Sequence, residues 1–258
     1  MAVRITAATA SATAAKAAVA AAVLVVLSLT ACDPLSAVTT DSDAKATPSS
    51  TASATGGPAL SDPAVLASIP AKMGSDGTTI IVGQASAKNT VQVYEDLRCP
   101  ICKSFETASG ATLAALAKSG KVKIEYTLAS FLDGNLGGNG SKRAANALRA
   151  SVEQGKFVPY HEALYANQPE ESNDGFTADF LLSIAGKVDG LRTTAFETAV
   201  KKGTYDSFVQ ASEKAFLKSG VSGTPYVKIN GKAVSGDDAA KLHDATQFAS
   251  LLKEYGVA

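Results

Sequence analysis

Two cysteines separated by two residues, Cys99 and Cys102, are the side chains in this sequence best suited to chemistry. Thiols at this spacing can close a small disulfide and reopen it by exchange with other thiols. They follow a β-prone run at residues 90–94, and residues 100–116 have the apolar spacing of a helix. Helical N–H groups would point at the first cysteine and favour its thiolate. We therefore interpret the pair as a redox site, although zinc sites and structural disulfides share this spacing.

Residues 1–31 are predicted to be a secretion signal and not part of the fold. Positive charge at Arg4 and Lys16 precedes the apolar stretch 17–29, which is too short to be a good membrane span. The stretch ends in Leu-Thr-Ala-Cys, which resembles the lipobox of bacterial lipoproteins, and its cysteine is Cys32. We therefore expect Cys32 to be lipidated and to anchor the protein to the outer face of the cell membrane. An ordinary secretion signal with a chance cysteine is the alternative.

The chain has three cysteines, so lipidation of Cys32 leaves Cys99 and Cys102 as the only pair. One pair provides no disulfide framework, and closing so short a loop stabilises a fold little. The pair is therefore predicted to react and not to brace the structure. Residues 32–63 are rich in Ser, Thr, Ala, Asp and Pro and have no apolar period, which predicts a flexible tether before a folded domain at residues 64–258.

Composition narrows the class of protein. The formal net charge is zero, with 24 basic and 24 acidic side chains and no basic tract, so the sequence does not favour a nucleic-acid partner. A hydrophobic content of 46% is ample for a buried core.

The segments around the cysteine pair predict an α/β fold. Runs with strand patterns lie at residues 78–82, 90–96, 122–128, 226–229 and 232–234. The helix between the second and third of these makes a βαβ unit, whose strands must be parallel. Successive helical patterns without a strand then fill residues 134–220, and a last helix follows Asp244. This order predicts a thioredoxin fold with an inserted all-helical subdomain at about residues 138–220.

A second motif, Gly223-Thr224-Pro225, immediately precedes the strand that begins at Tyr226. Proline is unexpected in a central strand because it cannot donate a hydrogen bond to the ladder. In thioredoxin-like folds this proline is cis and packs opposite the Cys-x-x-Cys motif, and the residue before it offers backbone groups to a substrate. We therefore expect Thr224-Pro225 to be cis and to lie opposite the cysteines; a trans proline at an edge strand is the alternative.

With both motifs in place, the sequence is similar to the DsbA family of thiol-disulfide oxidoreductases, and specifically to its membrane-tethered bacterial lipoprotein members. Three segments carry the resemblance: residues 93–105 around the cysteines, 160–168 within the helical stretch, and 220–225 around the proline. Together they span most of residues 78–258. Glutaredoxins share the proline after the first cysteine, but export and the helical insertion exclude them.

The resemblance implies a role for each site residue. Cys99 is expected to be the exposed nucleophile and Cys102 its shielded partner in the disulfide. Thr224 and Pro225 are expected to hold the substrate strand. No cofactor is implied, and no metal is expected because zinc needs four ligands where this pair offers two.

The two residues between the cysteines shape the site. Pro100 is shared with the family, but the best-studied members have histidine at the position of Ile101. An aliphatic side chain cannot donate a hydrogen bond to the Cys99 thiolate. We therefore predict a Cys99 pKa in the upper part of the range of about 3.5–7.5 found in such sites, and a less oxidising disulfide.

Other polar residues near the motif are weaker candidates. Glu95 or Asp96, on the strand that leads into the site, can relay the Cys102 proton if its side chain faces the site. Neighbouring strand residues point to opposite faces, so only one of the two can do so. Of the two histidines, His161 and His243, we expect the first to be structural because no partner is close to it in sequence.

The resemblance implies an extracytoplasmic enzyme that exchanges its disulfide with thiols of exported proteins, acting as a dithiol oxidase. It also implies a membrane partner of the DsbB or vitamin-K-epoxide-reductase type that reoxidises the pair. Two alternatives stay open. The same site can run as a reductase or isomerase fed by a membrane electron donor, or the protein can be a peptide-binding module whose Cys-x-x-Cys is a structural disulfide.

Overall fold

A six-stranded mixed sheet organises residues 62–257, which are the part of the chain that the computed structural model describes. Its strands are β1 (Ala71–Met73), β2 (Ile80–Val82), β3 (Asn89–Asp96), β4 (Val122–Ala129), β5 (Tyr226–Ile229) and β6 (Lys232–Ala233), in the spatial order β1-β2-β4-β3-β5-β6. The predicted signal, the lipidation site Cys32 and the tether before Asp62 lie outside the described residues.

Helices cover the sheet and fill the segment between β4 and β5. They are α1 (Pro63–Ala67), α2 (Pro100–Lys118), α3 (Leu132–Leu136), α4 (Gly140–Glu153), α5 (Phe157–Ala166), α6 (Ala178–Ala185), α7 (Thr194–Lys202), α8 (Asp206–Lys218), α9 (Asp237–Lys241) and α10 (Ala245–Glu254). Within residues 62–257, none of these helices combines the length and the apolar character that crossing a bilayer requires.

The predicted βαβ unit is confirmed. β3 and β4 are parallel neighbours joined by α2, and Val91 lies opposite Ile124 in their register. The helix ends at Lys118, and the chain leaves it through Ser119 and Gly120, whose φ of 73° glycine adopts readily. The unit places the carboxyl end of β3 and the first turn of α2 at one edge of the sheet.

The helical stretch between β4 and β5 is also confirmed, with α4 to α8 in the places where the apolar patterns predicted helices. The short helix α3 precedes them and was not predicted. α5 packs on α2, and α8 packs on β4, where the Ser212 hydroxyl accepts the N–H of Leu128 at 3.1 Å. The inserted helices therefore rest on the βαβ unit itself.

Some short elements differ from the prediction. β2 begins at Ile80 and not at Thr78, because the Asp76 carboxylate accepts the N–H groups of Thr78 and Thr79 at 2.9 Å and holds them in a turn. β1, α3 and α9 were missed, since elements of three to five residues are too short to show a period.

The second half of the fold brings the proline motif to the cysteines. β5 runs antiparallel to β3 with Tyr226 opposite Tyr94, so the residues that precede β5 lie beside the carboxyl end of β3. Asn230 and Gly231 form the turn between β5 and β6, with φ of 50° and 79°, values that suit a two-residue hairpin. These pairings, and not the loops, fix the relative position of the two motifs.

Candidate active site

Cys99 occupies the N-cap position of α2. Its side chain accepts the N–H of Cys102 at 3.4 Å, and Pro100 follows as the first helical residue, where its missing N–H costs nothing. The sequence predicts an exposed Cys99, but the residue is buried, with 7% of its surface exposed, because the segment of Thr224 packs against it. A negative charge here lies at the positive end of a 19-residue helix.

The second motif lies directly opposite. The peptide bond Thr224-Pro225 is cis, as predicted, and the Cys99 thiol donates to the Thr224 carbonyl at 3.3 Å. The Thr224 hydroxyl oxygen is buried and has no hydrogen-bond partner among the protein atoms of the described residues. The predicted site residues on both halves of the fold are therefore brought together.

The two thiols have very different acidities. A hydrogen bond from the Cys102 thiol is the largest influence on Cys99, and burial opposes it. Hydrogen bonds from the N–H groups of Cys102 and Ile101 add to the first effect, so the pKa of Cys99 falls to about 6. Burial raises the pKa of Cys102 well above the usual range of thiols, and the neighbouring sulfur and the Glu95 carboxylate raise it further. At neutral pH the pair thus holds one thiolate and one thiol.

The two residues between the cysteines lie on the protein surface at the active site. Both Pro100 and Ile101 are exposed, the latter by 53%, which is unusual for a large apolar side chain. A pKa of about 6 for Cys99 lies in the upper part of the expected range, which agrees with the absence of a side-chain donor at position 101.

Glu95 and Asp96 are both fully buried and point to opposite sides of β3. Asp96 is held by three groups: the Arg98 N–H at 2.9 Å and the Ser141 hydroxyl at 2.6 Å donate to one oxygen, and the Leu132 N–H donates to the other at 3.2 Å. Burial raises the pKa of Asp96 to about 7, although these hydrogen bonds oppose it. Asp96 therefore joins the active-site loop to the start of the helical insertion.

A buried ion pair that the sequence did not reveal extends this junction. Arg98 is 1% exposed and donates to the Asp133 carboxylate at 2.9 Å, and also to the backbone carbonyls of Gly137 and Glu171. Asp133 in turn accepts the N–H of Ser141 at 3.0 Å. The only indication of this ion pair in the sequence was that a charged residue, Arg98, directly precedes the first cysteine.

Gln168 also contacts the active-site loop from the helical insertion. Its side-chain amide donates to the carbonyls of Leu97 and Cys99 at 2.8 and 2.9 Å. The segment that carries it belongs to the predicted resemblance, but nothing in the sequence indicated a role for its side chain. The inserted helices thus fix the backbone on which the first cysteine lies.

His161 has a partner that sequence proximity could not indicate. Its Nε2 lies 2.6 Å from Oε1 of Glu95, which is 66 positions away in the chain, and both side chains are buried. Glu106, on the second turn of α2, completes a cluster of three buried titratable groups. This cluster lies on the side of β3 opposite to Asp96.

The fold and the site together define a class of protein. A sheet of this order with inserted helices, which places a Cys-x-x-Cys at a helix start opposite a cis-proline, is the architecture of a thiol-disulfide oxidoreductase. The predicted thioredoxin fold with a helical insertion is confirmed.

Comparison with known proteins agrees with this class. The family model described as thioredoxin matches residues 75–253, and the chain belongs to the thioredoxin family. Disulfide bond formation protein D of Bacillus subtilis is 25% identical over 157 residues, which are 60% of this chain and 68% of that protein. The chain is a thiol-disulfide oxidoreductase of the DsbA type.

Two solved structures show the same fold. Oxidised BdbD from Bacillus subtilis has a TM-score of 0.59 at 21% identity, and the match covers 72% of this chain and 97% of the BdbD chain. Oxidised DsbA from Mycobacterium tuberculosis has a TM-score of 0.54 at 25% identity and covers 73% of this chain and 93% of its own.

Proposed function

We propose that this protein is an extracytoplasmic dithiol oxidase that transfers the Cys99–Cys102 disulfide to pairs of thiols in exported proteins. The observation that supports this is the unequal pair of thiols: the Cys99 thiolate is stabilised at the start of α2, while Cys102 stays protonated. A thiolate of low pKa is a good leaving group, so a disulfide that contains it is easily transferred.

The exchange has two steps. A substrate thiolate attacks Cys99 Sγ, the Cys99–Cys102 bond breaks, and the released Cys102 sulfur takes up a proton. A second substrate thiolate then attacks the substrate sulfur of the mixed disulfide, and Cys99 leaves as a thiolate. Two electrons pass from the substrate to the cysteine pair; of the two substrate protons, one is balanced by the proton on Cys102 and the other goes to solvent.

The neighbouring residues have supporting roles in this proposal. The backbone of Thr224 and the ring of Pro225 hold the substrate strand beside the cysteines, since the Thr224 carbonyl oxygen lies 3.3 Å from Cys99 Sγ. The exposed side chains of Pro100 and Ile101 offer an apolar rim to the substrate.

Of the two carboxylates, we assign the relay of the Cys102 proton to Glu95 and not to Asp96. Glu95 has one oxygen without a partner among the described protein atoms, and its charge acts on Cys102. Asp96 has both oxygens engaged by groups that anchor the loop. The Asp96 carboxylate is therefore proposed to be structural.

Export and lipid anchoring of the protein are supported by the signal pattern and by Cys32 at its end. Cys32→Ala is expected to move the protein from the membrane fraction to the soluble extracytoplasmic fraction, because one thioether carries the whole anchor. Fractionation followed by immunodetection measures this, with Cys99→Ser as the control that stays with the membrane. Full retention of Cys32→Ala in the membrane fraction would contradict lipid anchoring.

For repeated turnover, a partner must take two electrons from the reduced Cys99–Cys102 pair and so restore the disulfide. We propose a membrane partner of the DsbB or vitamin-K-epoxide-reductase type, in keeping with the similarity to a disulfide bond formation protein. A lipid anchor would keep the enzyme on the membrane that contains such a partner.

The reduction potential decides between an oxidase and a reductase. A Cys99 pKa of about 6 lies between those of thioredoxin and DsbA, so we expect a potential between their values of about −270 and −120 mV. Ile101→His should lower the Cys99 pKa and raise the potential, since imidazole adds a donor and positive charge near the thiolate. Equilibration with glutathione and ultraviolet absorbance of the thiolate measure the two quantities.

Leu217→His is the matched control, because it places histidine at another exposed apolar side chain, on α8. A wild-type potential near −270 mV would favour the reductase. A Cys99 pKa that does not change in Ile101→His would contradict the role assigned to position 101.

A further inference from the structure

Glu95, whose charge acts on Cys102, belongs to a cluster of three buried titratable side chains. The exchange steps above assign a role to Glu95 but none to the other two. Glu95 is the next-to-last residue of β3, Glu106 lies on α2 and His161 lies on α5, and one polar atom from each lies within 4.8 Å of the other two. His161 Nε2 is 2.6 Å from Glu95 Oε1, which is a short, charge-assisted hydrogen bond. The helical insertion therefore contributes one member and the thioredoxin core contributes two.

Two carboxyl oxygens in this cluster have no hydrogen-bond partner among the described protein atoms: Oε2 of Glu95 and Oε1 of Glu106. Buried polar atoms are rarely left unpaired. A proton on one of these two carboxyl groups supplies an O–H donor that the other can accept, and a hydrogen bond with Glu95 is among the influences that raise the pKa of Glu106. Burial raises the pKa of Glu106 to about 8 despite the attraction of His161, so Glu106 is the group that carries this proton at neutral pH.

His161 supplies the compensating positive charge. Its ring lies against three aromatic rings, those of Tyr126, Phe157 and Tyr165, with centroids at 4.8, 5.2 and 5.0 Å. Burial lowers the pKa of His161, but the charge of Glu95 and its hydrogen bond to the ring outweigh burial and raise the pKa to about 9. At neutral pH His161 is thus an imidazolium and Glu106 is a carboxylic acid.

The cluster borders a small cavity. Glu106 and His161 line a cavity of about 10 Å³ that also borders Gly110 and the half-buried Glu162, a volume close to that of one water position. A Cβ at Gly110 would lie 2.9 Å from Oε2 of Glu106, so glycine in the middle of α2 leaves room for the carboxyl group. Helix propensity alone would not select glycine at this position.

The titratable groups that face this cluster come from each element packed around it. They are Cys102 and Glu106 of α2, Glu95 of β3, Tyr126 of β4, and His161, Glu162 and Tyr165 of α5. The tyrosines remain protonated because burial raises their pKa values well above the usual range. Among the described residues, proton movement near Cys102 therefore involves the two buried glutamates and the imidazolium beside them.

The same three residues are a conceivable metal site, but the geometry favours a hydrogen bond. A tetrahedral ion bound at about 2.0–2.2 Å would hold two ligand atoms about 3.4 Å apart. Nε2 of His161 and Oε1 of Glu95 are 2.6 Å apart, which is too close for both to be ligands of one ion.

We propose that Glu106, Glu95 and His161 form a proton store for Cys102, in which Glu106 holds the proton, Glu95 passes it on, and His161 stabilises the cluster while the proton is away. When the disulfide opens, the Glu106 proton moves through Glu95 to the Cys102 thiolate. When the disulfide forms again, Cys102 returns one proton by the same route. Glu106 and His161 act on Cys102 through Glu95 and are positioning residues. This inference rests on the proposed disulfide exchange and adds the source of its proton.

The test compares Glu106→Gln with wild type in the stopped-flow oxidation of a reduced dithiol peptide by the oxidised full-length protein. The wild-type rate should decline above about pH 8, where Glu106 loses its proton. Glu106→Gln should be about tenfold slower at pH 7 and should lack this inflection, because its amide cannot release a proton. Glu95→Gln should be slowed at least as much, since a direct acid–base group contributes about a hundredfold or more.

Glu153→Gln, which changes an exposed glutamate on α4, is the matched control and should keep the wild-type profile. A second readout uses carbon-labelled histidine, since the chain has 2 histidines and His243→Gln identifies one signal. At pH 7.5 the His161 signal should be that of an imidazolium, because the pKa of His161 is about 9.

A Glu106→Gln profile identical to wild type, or a neutral His161 at that pH, would overturn the proton store. So would a stoichiometric metal ion in the purified protein that Glu106→Gln removes, because the cluster would then be a metal site. If wild-type protein itself fails to oxidise the peptide, the proposed function fails instead, and the two failures are distinguishable.

Discussion

Replacing Cys99 by serine is expected to lower the rate of disulfide exchange with a reduced protein substrate by about a thousandfold or more, to the uncatalysed background. Serine cannot form the disulfide, and its hydroxyl is not ionised at the start of α2, where the Cys99 thiol has a pKa of about 6. The assay follows the oxidation of substrate thiols by mass spectrometry. Cys32→Ala in the same full chain is the matched control, because it removes a cysteine outside the site and should leave the exchange rate unchanged.

Cys102→Ala gives the complementary result. Its Cys99 thiolate can still attack a substrate disulfide, but no second thiol is present to release the product, so a mixed disulfide accumulates. Non-reducing electrophoresis should show the covalent complex, and Cys99→Ser should show none. Substrate oxidation by Cys99→Ser at the wild-type rate would support instead a peptide-binding module with a structural disulfide.

The second large effect is expected at Arg98, which lies between the cysteine motif and the helical insertion. Arg98→Met would leave the Asp133 carboxylate buried without its cation, and the side chains of this pair are 1% and 0% exposed. Breaking a buried pair from one side costs about 3–5 kcal/mol. The free energy of unfolding from urea titrations should therefore fall by this amount, and exchange activity should fall with it because the loop before Cys99 loses its anchor.

Arg143→Met is the matched control, since Arg143 pairs with Asp174 at 2.7 Å but the two side chains are 31% and 41% exposed. Exposed pairs contribute less than about 1 kcal/mol. The double variant Arg98→Met/Asp133→Asn should recover part of the lost stability, because neither charge is then buried alone. Equal losses in Arg98→Met and Arg143→Met would show that the buried pair has no special part in holding the insertion on the core.

Short-range patterns were enough to predict the frame of the site. The apolar alternation of residues 90–96 and 122–128 and the helix between them predicted β3, α2 and β4, and the structure confirms the parallel pair. The cis conformation of Thr224-Pro225, opposite the cysteines, is likewise confirmed. Such features depend on residues that are neighbours in the chain or on a backbone restriction specific to proline. They can therefore be predicted without the tertiary structure.

The burial and the hydrogen-bond partners of the charged residues could not be predicted from such short-range patterns. The sequence offered Glu95 and Asp96 as equivalent candidates, and alternation predicted only that they differ. Both proved to be buried, Asp96 against the start of α4 and Glu95 against α5. Nothing in the strand pattern distinguishes a carboxylate that anchors a loop from one that faces a thiol.

The sequence by itself determined which residues can react: a thiol pair at a helix start, a proline motif to face it, and a signal whose cysteine predicts a lipid anchor. Only the tertiary structure decided how those residues are tuned. His161 meets Glu95 across 66 positions, and Arg98 meets Asp133 across 35. The physical reason is that the acidity of a buried group depends on its desolvation and on the charges within a few ångströms, and these are set by which helices pack on the sheet. Periodicity predicts that a face is buried, but it does not say against which partner.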